Sequence, residues 1–172
     1  METVSFVRRL GSFLALAAIQ VLILNRIELF GYVTPLFYIW MIARYDNSMS
    51  RTAQLLWAFF LGLLIDTFGG TPGLNAATAT LLAMMQPSLF KLFMTIDRHD
   101  VVVPGIATMG GSQFAGYLLL VTVVHHTAYY ILRSIPLGDW TVVIFKILFS
   151  SVFTFILMLI AESFTTNTSR KR

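Results

Sequence analysis

Asp66 is the most chemically distinctive residue of the sequence, because it places a carboxylate at the end of an apolar run. The chain breaks sharply just after it, and the stretch reads GLLIDTFGGTPG from Gly62 to Gly73. A carboxylate in such a place can take part in catalysis, contact a ligand or partner, or join two helices through hydrogen bonds. Which role applies depends on the elements that position Asp66.

The other ionisable side chains do not complete a catalytic or metal-binding set. His125 and His126 are adjacent, so on a helix they point about 100° apart, whereas helical metal ligands are spaced three or four residues apart. Cysteine is absent, which excludes disulfides, thiolate metal sites and Cys nucleophiles. The sequence has no Ser/His/Asp set, P-loop or HExxH motif. We therefore predict a protein that is not an enzyme and that uses no cofactor and no metal.

The composition indicates a lipid bilayer as the environment of the chain. Of the 172 residues, 57% are hydrophobic and 12% are charged, and the mean hydropathy is +0.78. A soluble domain has about 25% charged residues, and a small one buries only about two-thirds of its chain surface. The net charge of +4 comes from scattered basic residues. Because no basic helix or arm is present, the chain is not predicted to bind nucleic acid.

Six apolar runs with brief linkers predict a single all-α integral membrane domain with six transmembrane helices. The runs cover approximately residues 10–27, 31–43, 52–68, 72–93, 105–132 and 137–164. They are longer than membrane strands and show no period-two alternation. The second run is short and holds Pro35 near its start. We expect it to form a short or tilted helix that is shielded by its neighbours.

The placement of Lys and Arg predicts that both termini lie in the cytoplasm. With the N-terminus inside, the outer segments hold only Arg26 and Arg133. The inner segments hold nine basic residues: Arg8, Arg9, Arg44, Arg51, Lys91, Arg98, Arg170, Lys171 and Arg172. This bias also supports an even number of crossings.

The residues after Asp66 predict a clasp between the third and fourth helices. Thr71 is a suitable N-cap residue, and Pro72 is a suitable first residue for the fourth helix. The start of that helix offers free N–H groups and a partial positive charge to the carboxylate. A ligand or partner contact at Asp66 is the alternative role.

Small residues around the clasp predict close packing of helices. Gly62 precedes Asp66 by one helical turn, and Gly73 and Asn75 begin a small-residue surface on the fourth helix. Asn75 is expected to bond to Asp66 or the third helix, or else to line an outward-facing cavity. In the fifth helix, residues 110–112 and Gly116 form a second small-residue face, for which contact with another copy or another protein is the alternative to internal packing.

The remaining polar residues of the apolar runs are predicted to lie at the membrane interfaces. His125 and His126, with the two tyrosines that follow them, are expected in an outer aromatic belt. Lys146 is expected to extend to the outer surface or to pair with an acid such as Asp66. Glu162 is expected at the inner interface, where water solvates it.

Two stretches resemble the MreD family, the small membrane subunits of the bacterial rod-shape system. They are RIELFGYVTPLFYIW (Arg26 to Trp40) and FFLGLLIDTFGGTPGLNAATATLLA (Phe59 to Ala83). The pattern of Gly62, Asp66, Pro72 and Gly73 is the most specific part of the resemblance, and the length and six-run pattern agree with it. Relatives in that family often have histidine where this chain has Asn75, a side chain that does not titrate.

The resemblance implies a fold similar to the six-helix substrate-binding subunits of energy-coupling-factor transporters. It implies a non-enzymatic scaffold or regulatory subunit of the inner membrane that serves peptidoglycan elongation and cell shape. The implied partners are the single-span protein MreC, the actin-like MreB, RodA with its transpeptidase penicillin-binding protein, and membrane lipids.

The fold similarity also supplies the alternative function, a small-molecule-binding subunit of an energy-coupling-factor transporter. In that case Asp66, Asn75 and Lys146 would form an outward-facing pocket for a vitamin-like ligand.

Overall fold

The computed structural model describes residues 2–27, 33–94, 101–134 and 139–169, and these residues form helices with no strand among them. The prediction of an all-α fold is therefore confirmed. The helices are α1 (Glu2–Leu22), α2 (Ile39–Ala43), α3 (Arg51–Gly69), α4 (Leu74–Lys91), α5 (Ile106–Met109), α6 (Gly111–Ser134) and α7 (Trp140–Ser169), and a 3-10 turn (Leu24–Arg26) follows α1.

Four of the helical segments are long and apolar enough to cross a membrane: Arg9–Arg26, Arg51–Gly69, Gly111–Ser134 and Trp140–Phe164. Between 28% and 44% of each segment's apolar window is buried inside the protein, which leaves large outward faces for lipid. Phe60 on α3 and Phe149 on α7 are more than half exposed on such faces. The chain thus has features of a membrane protein, because large apolar side chains are exposed while several polar ones are buried among the apolar residues of the core.

The second predicted helix is wrong over most of its length. Only Ile39–Ala43 is helical, while residues 34–36 have no regular structure and residues 31 and 32 lie outside the described part of the chain. Pro35 explains the difference, because it has no N–H to donate and it disfavours helical backbone in the residue before it. We call residues 33–44, which include α2, the inserted segment.

The fifth predicted helix is divided in two. Gly110 has a positive φ of 82°, a conformation that favours glycine, and it separates α5 from α6. The fourth helix also begins later than predicted, at Leu74 instead of Pro72. Both differences arise at glycines whose backbone the apolar pattern does not reveal.

The helices pack around α4 and α6. α4 lies along α3 and also contacts α6, α7 packs against α6, and α1 packs against α3. The inserted segment lies within this assembly, where α2 contacts α1, α4 and α6. Its residues Tyr38, Ile39, Ile42 and Ala43 have no exposed surface. An irregular piece of backbone therefore occupies the centre of an otherwise helical bundle.

Candidate functional site

Asp66 is buried, with 4% of its surface exposed, and its carboxylate accepts four hydrogen bonds. Oδ1 accepts from the Thr71 hydroxyl at 2.8 Å and from both the backbone N–H and the side-chain amide of Asn75, each at 2.9 Å. Oδ2 accepts from the backbone N–H of Ala76 at 2.9 Å. Every one of these groups is a donor, which suits a charged carboxylate. The expected contact between Asp66 and the start of the fourth helix is present.

The capping residue of α4 differs from the predicted one. The residue before the helix is Gly73, with φ of 75° and no side chain to accept a bond. Thr71 does not cap the helix, because its hydroxyl donates to Asp66 instead. Asp66 takes over the capping role from another helix, since it accepts from the N–H groups of the second and third residues of α4. Pro72 lies in the turn before the helix.

Gly62 permits the close approach of α3 and α4 that brings Asp66 to these donors. A Cβ atom at Gly62 would lie 2.5 Å from the Cα of Ala76 and would also collide with the backbone carbonyl of Asn75. Real Cβ contacts are not that short, and both obstacles are backbone atoms of α4. Any side chain at Gly62 therefore forces the helices apart.

Asn75 extends the network from Asp66 to the inserted segment. Its side-chain N–H groups donate to Asp66 and Thr71, so its Oδ1 faces Tyr38, whose hydroxyl donates to it at 3.1 Å. That hydroxyl is also 3.0 Å from Nε2 of His125. Because the tyrosine proton is directed at Asn75, Nε2 of His125 must donate. The four side chains join α3, α4, the inserted segment and α6.

Side chains from α1 and α7 satisfy the backbone of the inserted segment. Gln20 of α1 donates to the carbonyl of Pro35 at 2.9 Å and accepts from the N–H of Tyr38 at 3.3 Å. On α7, Ser150 accepts from the N–H of Thr34 at 3.1 Å, and Thr154 accepts from the N–H of Leu36 at 3.2 Å. Backbone that is neither helix nor strand is tolerated at membrane depth only where protein groups satisfy it in this way.

His126 supports one of these hydroxyls. Its Nδ1 is 2.8 Å from the carbonyl of Thr122 and must donate to it, so Nε2 accepts from the hydroxyl of Thr154 at 3.2 Å. The expectation of an outer aromatic belt is wrong for this region, because His125 and His126 have no exposed surface and Tyr129 and Tyr130 are at most 3% exposed. Among the described residues, no group of three or more His, Cys, Asp and Glu could hold a metal ion.

The inserted segment ends in an ion pair at the opposite end of the bundle. Arg44 pairs with Glu162 of α7, and Glu162 also accepts from the backbone N–H of Ile106 at 3.3 Å. Glu162 is only 3% exposed, so the expectation that water solvates it is wrong. Charges buried to this degree are generally paired. The Arg44–Glu162 pair is therefore an internal contact that ties α7 to the inserted segment and to the start of α5.

A second, more exposed ion pair lies at the same end, between Arg9 and Asp46 at 2.6 Å. Tyr45, which lies between Arg44 and Asp46 in the sequence, is 5% exposed. Burial raises the pKa of its hydroxyl, and the nearby positive charge of Arg9 opposes this rise. Two basic residues that the sequence assigns to inner loops thus have carboxylate partners.

The contacts of α7 follow one stripe that sequence reasoning missed. Ser150, Thr154, Met158 and Glu162 are spaced four residues apart and are almost fully buried, so they line a single face over ~18 Å. Three polar residues at this spacing, in the most apolar helix of the chain, are a signal that the face meets polar protein groups and not lipid.

Lys146 does not belong to the Asp66 cluster. It is partly exposed on α7, and among the described residues the ion pairs are Arg9–Asp46 and Arg44–Glu162. The positive partner of Asp66 is the N-terminus of α4 instead.

The small-residue face of the fifth run divides into two parts. Gly116 packs internally, because a Cβ there would lie 2.8 Å from the ring of Phe93. Gly110 and Gly111 have no atom within 4 Å of such a Cβ, so they present an open surface.

The site that includes Gly62, Asp66, Gly73 and Asn75 is thus a set of internal contacts between helices, in which each polar side chain faces another part of the same chain. Such an arrangement can fix the positions of helices with high geometric precision. Comparison with family models, with curated proteins and with solved structures finds no match for the chain.

Proposed function

We propose that this chain is a non-enzymatic scaffold of the bacterial inner membrane that serves the peptidoglycan elongation complex, as MreD-like subunits do. It would bind MreC through its membrane-facing helices and position RodA, with its transpeptidase penicillin-binding protein, relative to MreB. The observation that carries the proposal is the role of the Asp66 motif in joining two helices. The residues that most resemble the MreD family hold α3 against α4, which is what a rigid scaffold requires.

We further propose six crossings with both termini in the cytoplasm. The inserted segment supports this number, because it follows α7 from Ser150 to Glu162, a rise of ~18 Å. α4 has 18 residues and lies along α3 and α6. Each of these two segments is covered by neighbouring helices, so neither needs the hydropathy of an isolated span.

Affinity capture with a matched set of surface variants tests the scaffold function. The tagged chain is purified in mild detergent, and the proteins that accompany it are identified by mass spectrometry. Phe60→Ala, Phe149→Ala and Leu14→Ala each remove an exposed side chain from a different helix, with exposures of 53%, 55% and 54%. We expect the unmodified chain to retain an MreC-type single-span protein, and one of the three variants to retain clearly less at an unchanged melting temperature.

Depletion of the protein in rod-shaped cells gives an independent result. We expect the cells to become round, because elongation stops while division continues. Loss of vitamin uptake with normal shape, together with a vitamin that raises the melting temperature of the purified chain, would instead support a transport subunit and overturn the proposal. The proposal would also be overturned if the purified chain retained no elongation protein in the affinity capture.

A further inference from the structure

The inserted segment is bonded to both ends of the bundle. At one end, Tyr38 donates to Asn75, which holds Asp66. At the other end, Arg44 pairs with Glu162, which also holds the start of α5 through Ile106. Asp66 lies 15 residues into α3, ~22 Å from its beginning, and Gln54 near that beginning bonds to the loop that follows Arg44. The two contacts therefore lie toward opposite ends of α3.

The part of the chain between these contacts is a short, enclosed helix. Tyr38 and Arg44 are the capping residues of α2, so their backbones are ~9 Å apart along that helix, and their side chains reach the two contacts. Ile39, Ile42 and Ala43 have no exposed surface, and the Tyr117 hydroxyl holds the carbonyl of Ala43 at 2.7 Å. A short helix enclosed on all sides moves as one body, so a displacement at one end reaches the other.

Some buried polar atoms in and near the inserted segment have no hydrogen-bond partner. Within the described residues, four buried side-chain polar atoms have no hydrogen-bond partner: Trp40 Nε1, Tyr45 Oη, His125 Nδ1 and Ser151 Oγ. Trp40 belongs to the segment and Tyr45 follows it directly. His125 contacts the segment through Tyr38, whereas Ser151 lies on α7. Native interiors pair nearly all such atoms, and a shift of the segment breaks no hydrogen bond at Trp40 Nε1, Tyr45 Oη or His125 Nδ1.

We propose that the inserted segment is a conformational link between the clasp at Asp66 and the Arg44–Glu162 contact. Displacement of Tyr38 from Asn75 weakens the Arg44–Glu162 contact, and loss of that contact loosens the clasp at Asp66. Because coupling between sites is reciprocal, both directions must hold. The link depends on contacts inside the chain and holds whether the chain is a scaffold or a transport subunit.

Hydrogen exchange with mass spectrometry on the purified full chain tests this link. Tyr38→Phe removes one hydroxyl and keeps the ring, so it separates the segment from Asn75 and His125 with little change in packing. We expect exchange in residues 101–109, at the opposite end, to become at least about fivefold faster, the lower range of measured coupling between sites. Thr122→Val is the matched control, since it removes a buried hydroxyl of α6 that bonds to Leu118 and Met158 and not to the segment.

A variant at the other contact distinguishes the link from a local folding defect at Tyr38. Glu162→Gln weakens the contact with Arg44, and we expect faster exchange of the amides of Asn75 and Ala76, which bond to Asp66. If Tyr38→Phe changes exchange only around its own contacts, or if either variant accelerates exchange uniformly as a global loss of stability does, the link does not exist. Equal effects of Thr122→Val at residues 101–109 would also overturn it.

Discussion

The carboxylate of Asp66 accepts the backbone N–H of Ala76 at 2.9 Å, although the two residues belong to different helices. A cap that comes from the preceding helix fixes two things at once, the start of α4 and its position against α3. The clasp is therefore a contact between two helices that has the geometry of an ordinary helix cap.

Removal of the Asp66 carboxylate should strongly destabilise the protein. Asp66→Ala leaves two buried backbone N–H groups and the Thr71 hydroxyl without an acceptor, and we expect a loss of about 2–4 kcal/mol. Asp66→Asn keeps one acceptor oxygen and should lose less. Thermal unfolding in a fixed detergent measures both.

Asp139→Ala is the matched control for this prediction. Asp139 also accepts from two N–H groups at the start of a helix, at 3.1 and 3.3 Å, but it is exposed to solvent. Its loss should reduce stability by only about 1 kcal/mol. Equal losses from Asp66→Ala and Asp139→Ala would show that burial of the clasp has no energetic importance.

Two glycine-to-alanine substitutions should have opposite signs. Gly62→Ala forces a methyl group against the backbone of α4, and we expect a loss of at least about 2 kcal/mol, as for other overpacked sites. At Gly11 on α1, an added methyl group meets no atom within 4 Å. Gly11→Ala should therefore stabilise the protein by about 0.5–1 kcal/mol, because alanine has less conformational freedom than glycine in the unfolded chain. Melting temperatures of the two variants and the parent decide this. A neutral Gly62→Ala would mean that α3 and α4 separate without penalty.

The two ion pairs should respond differently to salt. The side chains of Arg44 and Glu162 are 22% and 4% exposed, whereas those of Arg9 and Asp46 are 33% and 13% exposed. Salt screens exposed charges much more than buried ones. The coupling energy from a double-mutant cycle on Arg44 and Glu162 should therefore be nearly constant between 0.05 and 1 M salt, at about 1–3 kcal/mol.

The coupling between Arg9 and Asp46 should fall from at most about 1 kcal/mol towards zero over the same range. A strong salt dependence of the Arg44–Glu162 coupling would contradict its burial.

Lys146→Met should be nearly neutral. Lys146 is partly exposed and does not pair with Asp66, so we expect a change within about 0.5 kcal/mol. Asp66→Leu, by comparison, should destabilise the protein as much as Asp66→Ala or more. Unfolding and partner capture are measured for both variants. The reverse order would identify Lys146 as the residue that matters in this region.

The part of the site that the sequence predicts is the part in which the partners are close along the chain. Asp66 and Asn75 are nine residues apart, so a helix end, a glycine turn and a helix start suffice to bring them together. The choice of helices over strands was also predictable, because long apolar runs without alternation are typical of helices.

The inserted segment was not predictable in the same way. Its partners Ser150 and Thr154 lie 116 and 118 residues away from Thr34 and Leu36, and hydropathy does not reveal such pairs. The interface belt predicted for His125 and His126 was wrong for a related reason. Composition places a polar residue at a depth in the membrane but does not say whether it faces lipid or protein.

The hydrogen bonds of the inserted segment also have a consequence for biosynthesis. Ser150 and Thr154 lie 116 and 118 residues after Thr34 and Leu36, so the N–H groups of Thr34 and Leu36 have no acceptor on α7 while the intervening helices are made. Lipid cannot supply that acceptor. The early part of the chain must therefore remain in contact with water or with the insertion machinery until α7 arrives, and a product that ends before Ser150 should be degraded.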